Sequence, residues 1–113
     1  MKEKILHEIK ITGPNGEDHS IEIYIPRFEN QSADDLFNNH KSEVYDSIVV
    51  GITRMMNLRL DRIACFAIED LIFELGKESS IDNLNRCIEY YISIEEFETC
   101  AFIQNHLLPY VKN

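Results

Sequence analysis

His40 stands within a few residues of Asp34, Asp35 and Glu43, a modest polar concentration containing an imidazole in this 113-residue chain. Such a group can shuttle protons or hold a divalent ion. His7, His19, His40 and His106 are otherwise far apart, and none falls in the compact His/Glu or Cys/His spacing of a zinc site. A solvent-facing helix start around His40 is the expectation. Glu69, Asp70 and Glu74 bring three carboxylates close together, with Asp70 and Glu74 one turn apart if the segment is helical. A carboxylate pair acting as acid and base needs burial or a partner group that splits the two pKa values, and no such complement is visible. These acids are expected on a solvated face, offset locally by Arg59 and Arg62.

Cys65, Cys87 and Cys100 are odd in number, lie inside apolar periodic segments and have no close ligand spacing. Reduced, buried thiols of a cytoplasmic protein are expected rather than disulfides, a nucleophile or a metal site. Gly13-Pro14-Asn15-Gly16 lacks the spacing and the downstream Lys-Ser or Lys-Thr of a phosphate loop, so it reads as a turn. Ser42, Ser47 and Ser93 lack the setting of a nucleophile elbow. No catalytic residue, metal ligand or cofactor-binding residue is assigned, and no cofactor is expected.

Twenty acidic against eleven basic side chains give a formal net charge of -9. That balance opposes binding to a broad nucleic-acid or anionic membrane surface. The opening Met1 to Lys10 has no apolar core of a secretory signal, and no apolar run approaches the roughly 20 residues of a membrane span. From Glu78 onward there are six acidic residues against Arg86 and Lys112, the most negative stretch of the chain. Its surface candidates are Tyr90, Glu95, Glu96, Glu98 and Phe102, while Tyr91 follows the buried phase. A phenol combines apolar contact with a hydrogen bond, and a carboxylate cluster can steer a basic partner.

The elements that must position these groups follow from hydrophobic period. Ile5, His7, Ile9 and Ile11 fall on one strand face, with Leu6, Glu8, Lys10 and Thr12 on the other, and Ile21, Ile23 and Ile25 form a second alternation. The Pro and Asn-Gly loop between them makes an antiparallel hairpin over residues 5–25, with Pro26 closing its second strand. An isolated hairpin is marginal, so its Ile face must rest on helices or on another sheet edge, including one from a second copy. From Ser32, with Asp35 three residues on as a capping box, the period becomes helical. Val44, Ile48, Ile52 and Met55 or Met56 form one stripe. The run Asp61 to Leu75 predicts a central helix stopped by Gly76, with Ser79 or Ser80 capping the next one. Leu84, Cys87, Ile88, Tyr91 and Ile92 form a further helical face. Ser93 with Glu96 predicts a second capping box ahead of Phe97, Cys100, Ala101, Ile103 and Leu107 or Leu108, and Pro109 closes that helix.

The stretch from Leu84 to Gln104 resembles the UVR motif, a helical hairpin of nucleotide-excision repair proteins and of some bacterial stress and protease-adaptor proteins. The likeness lies in an amphipathic helix, a tight acidic junction and the pattern Glu96-Phe97-Glu98-x-x-Ala101-x-Ile103 opening a second helix. Gln104 and Asn105 stand where that family commonly carries an Arg-Asp pair, and Cys100 replaces a small apolar residue. The resemblance implies a protein-docking hairpin that often pairs with another copy. It does not extend to DNA repair.

The expected architecture is a single α+β domain over residues 1–113: an N-terminal antiparallel β-hairpin followed by a compact four- or five-helix domain over residues 32–108. The expected function is a non-enzymatic protein-interaction module, a small adaptor or inhibitor. Its partner would be an unidentified protein or a second copy as a homodimer, with no nucleic acid and no membrane. The alternatives are a small enzyme using acidic residues with His40 or His106, acidic mimicry of nucleic acid, and a structural component of an oligomer or phage particle.

Overall fold

The computed structural model describes residues 2–113. Strands β1 (Lys2–Thr12) and β2 (Asp18–Phe28) pair in unbroken antiparallel register, Ile5 with Ile25 and Ile9 with Ile21. Their turn follows from its residues. Gly16 N–H donates to the Gly13 carbonyl at 3.0 Å, Pro14 supplies the fixed φ of the first corner, and Gly16 takes φ 81°, where only glycine is unstrained. Pro26 does not close β2. It lies opposite Lys4, at a position where an N–H would point away from β1, and pairing with the next strand begins only at Arg27.

Helices α1 (Ala33–Asn39) and α2 (Lys41–Asn57) follow, divided at His40. The Ser32–Asp35 capping box forms in both directions, Asp35 N–H to Ser32 Oγ and Ser32 N–H to Asp35 Oδ2, each 3.1 Å. Val44, Ile48, Ile52 and Met55 are completely buried along one stripe of α2.

The expected central helix over Asp61 to Leu75 is absent, and this overturns the picture of a hairpin followed by a helical domain. The segment is a second hairpin, β3 (Arg62–Ile68) and β4 (Leu71–Gly76). β3 runs parallel to β2 through Arg27–Ala67 and Phe28–Ile68, giving a four-stranded mixed sheet of order β1-β2-β3-β4, with α1 and α2 forming the crossover. Ile63 to Ala67 are all buried, so β3 is covered on both faces and shows no alternation. A short apolar run of that kind imitates a buried helix. Its turn, Glu69-Asp70, also lacks the usual Asn-Gly signal. Glu69 adopts φ 52°, and its carbonyl and carboxylate are held by Arg27 Nε (2.9 Å) and Asn30 N–H (2.6 Å).

Gly76 likewise is no left-handed helix stop. With φ -94° it ends β4, and its N–H donates to Ser79 Oγ at 3.0 Å at the head of α3 (Lys77–Ser93). The C-terminal rod consists of α4 (Phe97–Phe102), a π-helical turn (Ile103–Leu107) and α5 (Leu108–Lys112). Pro109 sits inside this rod instead of closing it. Proline cannot donate, and its ring crowds the carbonyl four residues back. The widened turn, in which Leu108 N–H reaches the Ile103 carbonyl, accommodates it. Helices α2, α3 and the C-terminal rod pack together, with Leu84, Cys87, Ile103 and Leu107 fully buried. No helix among the described residues is long and apolar enough to cross a membrane.

Candidate protein-docking site

The junction between α3 and α4 is set by backbone hydrogen bonding. Glu96 N–H donates to the Tyr91 carbonyl at 2.8 Å and Glu95 N–H to the Ile92 carbonyl at 3.0 Å, with Glu95 at φ 61°. This is a Schellman motif whose left-handed position, normally glycine, is filled by a glutamate. The expected Ser93–Glu96 capping box does not form. Ser93 Oγ donates back to the Tyr90 carbonyl at 2.5 Å, and α4 begins at Phe97 with no side-chain cap.

The sharp turn leaves three large apolar side chains in water within six residues: Ile92 at 51%, Ile94 at 47% and Phe97 at 60% exposure. Glu95, Glu96 and Glu98 stand exposed among them. Apolar anchors ringed by like charge match the core-and-rim pattern of a protein interface. Glu98 also lies in the first turn of α4, where a negative charge is favoured by the positive end of the helix dipole.

The two aromatic residues singled out from sequence are placed differently from those carboxylates. Tyr90 is half-buried and stacks on Tyr45 of α2, ring centroids 4.9 Å apart, in a chain of rings that includes Phe37 and Tyr91. Phe102 is half-buried against the core, with the His106 ring 5.3 Å away. The outward anchors are Ile92, Ile94 and Phe97, two of which, Ile92 and Phe97, were expected on buried faces. Ile94 carried the available signal, since it fits neither helical stripe.

The other chemical candidates are dispersed. His40 caps the α1–α2 break, with Nδ1 3.3 Å from Glu43 Oε2. Asp35 is held below the usual carboxylate range by the Ser32 backbone and hydroxyl hydrogen bonds. Glu69 and Asp70 form the β3–β4 turn rather than a helix face. Arg27 gathers Glu3 (2.8 Å), Glu29 (3.2 Å) and Asp70 (3.5 Å), while Glu74 lies 3.6 Å from Arg62. Cys65, Cys87 and Cys100 are buried free thiols, and burial pushes Cys65 and Cys87 each up to about 12. Among the described residues no group of three or more His, Cys, Asp or Glu is placed to hold a metal ion.

A depression lies at the open end of the sheet, lined by His7, Glu8, Asp61, Arg62 and Glu74 among others, and a smaller groove runs between α2 and β2. Neither is lined by His40 or His106. Comparison with models of known families, with curated proteins and with solved structures gives no match to this chain.

Proposed function

We propose that this chain is a non-enzymatic docking module, an adaptor or inhibitor that presents the α3–α4 tip to another protein. The observation carrying this reading is the exposure of Ile92, Ile94 and Phe97 among Glu95, Glu96 and Glu98 on a turn held by backbone hydrogen bonds. A matching partner offers an apolar recess with a basic border. Burial of the three side chains supplies affinity, and the carboxylates set orientation and encounter rate. The resemblance of residues 84–104 to the UVR hairpin points to the same use. The net charge of -9 disfavours nucleic acid, and three buried free thiols suit a reducing cytoplasm.

Affinity capture from the native cell at near-physiological salt tests the reading. The wild-type chain retains one stoichiometric partner, and Phe97→Asp or Ile94→Asp releases it while leaving the far-ultraviolet circular dichroism unchanged. Retention of the partner by both variants, or turnover of a small substrate by the partner-free protein, overturns it.

A further inference from the structure

We propose that β1 is a self-complementary edge through which two copies join their sheets antiparallel about a two-fold axis at Leu6. β1 borders the sheet over eleven residues with no bulge and no proline, the kind of edge that recruits another strand unless something blocks it. The hydrogen bond from Gly13 N–H to the Glu17 carbonyl fixes the phase of the ladder. Counting back from it, odd residues of β1 bond to β2, so the N–H and C=O of Lys4, Leu6, Glu8 and Lys10 point outward.

Charge, ladder length and apolar contact together select one register. With the axis at Leu6, Lys4 of each copy lies directly opposite Glu8 of the other, twice by symmetry, and Leu6 meets Leu6. Only the outermost positions, 2 and 10, both lysine, are like-charged. An axis at His7 sets Lys4 against Lys10 twice and Leu6 against Glu8. An axis at Glu8 sets Glu8 against itself. Like charges directly opposite destabilise a strand pair, which removes the His7 and Glu8 axes. Axes at Ile5 and Ile9 avoid like charges but shorten the ladder from nine residues to seven and set Leu6 against Lys4 or Thr12 instead of against Leu6, so the Leu6 register wins.

The charges involved are also uncommitted within the chain. Among the described residues neither Lys4 nor Glu8 has an ion-pair partner, and across the hairpin Lys4 faces Pro26 while Glu8 faces another acid, Glu22. Leu6 and its cross-strand neighbour Tyr24 are 50% and 59% exposed on the same face. Pairing at Leu6 joins them into one apolar row, Tyr24-Leu6-Leu6-Tyr24, spanning the dimer. The contact is isologous and closed, so it stops at two copies.

Analytical ultracentrifugation of the purified chain over a concentration series should show a species of twice 13.2 kDa. Lys4→Glu alone and Glu8→Lys alone should each weaken dimerisation about tenfold or more. The double variant Lys4→Glu/Glu8→Lys should restore it. Glu8→Lys removes the Glu8–Glu22 opposition, so it remains folded by circular dichroism and separates loss of pairing from loss of structure. A monomeric wild type, single variants that dimerise as well as wild type, or a double variant that stays monomeric each overturns the proposal. Phe97→Asp should leave the mass unchanged, so this edge and the α3–α4 tip fail independently.

Discussion

The hydroxyl of Tyr91 on α3 donates to the carboxylate of Asp46 on α2, tying the C-terminal helices to the helix that supports the sheet. The ring is almost fully buried while its oxygen reaches a charged acceptor. Burial, followed by the donated hydrogen bond, drives the phenol well above its ordinary pKa, so it stays a donor. Tyr91→Phe keeps the packing and removes only this bond. It should cost about 1–2 kcal/mol in urea denaturation, with Asp46→Asn costing less because an acceptor remains. Unchanged midpoints for both would show that the contact contributes nothing.

Gly51 of α2 lies directly against Cys65 of β3. A Cβ there would lie 2.6 Å from Cys65 Sγ but 3.4 Å from the Cα and Cβ of that residue. Gly51→Ala alone should therefore destabilise by about 1–3 kcal/mol through overpacking. In a Cys65→Ala background the obstructing sulfur is gone, and the helix preference for alanine over glycine, about 1 kcal/mol, should make the same change neutral or stabilising. A double-mutant cycle should show coupling of about 1 kcal/mol or more, and simple additivity would refute the close contact.

Stability should fall steeply in alkali. Cys65 and Cys87 hold their protons up to about 12 in the folded chain, whereas an unfolded thiol releases its proton near 9.0. Between these values the folded state binds more protons than the unfolded state, so stability declines as pH rises. Below that window the two thiols have no effect on the pH dependence. Each contributes a loss of up to about 1.4 kcal/mol per pH unit inside it. Denaturation midpoints taken from pH 8 to pH 10.5 under reducing conditions should drop, and less steeply in Cys65→Ala/Cys87→Ala. Identical slopes in the two proteins would contradict the burial of these thiols.

The parts legible in the sequence are those where one residue type dictates one backbone state. Pro14 and Gly16 specify the first turn, Ser32 and Asp35 the start of α1, and Val44, Ile48, Ile52 and Met55 the buried stripe of α2. β3 was illegible because burial on both faces erases the period of two, and because its turn uses Glu69 at positive φ, held by Arg27 and Asn30 from distant parts of the chain. Pro109 misleads for a related reason: whether proline stops a helix depends on whether the preceding turn can widen. At the tip, Glu95, Glu96 and Glu98 lie exposed at the junction where they were expected. Tyr90 and Phe102 were drawn inward by Tyr45 and by the core, and nothing in local spacing reveals that tertiary contact.

Glu95 ties the stability of the tip to its proposed use. A left-handed conformation costs a residue bearing a Cβ about 1 kcal/mol relative to glycine, and no hydrogen bond from the Glu95 side chain offsets that cost among the described residues. Glu95→Gly should therefore raise stability by about 0.5–1 kcal/mol, and Glu95→Asn by less, since asparagine tolerates this conformation better than glutamate. Both substitutions remove one carboxylate from the rim around Ile92, Ile94 and Phe97. Both should therefore slow association with a basic partner most strongly at low salt. The expected result is a more stable protein that docks more slowly, read from urea midpoints and from association rates at two ionic strengths. A drop in stability on Glu95→Gly would show that the glutamate side chain supports the turn. Association rates equal to wild type at low salt would remove Glu95 from the docking rim.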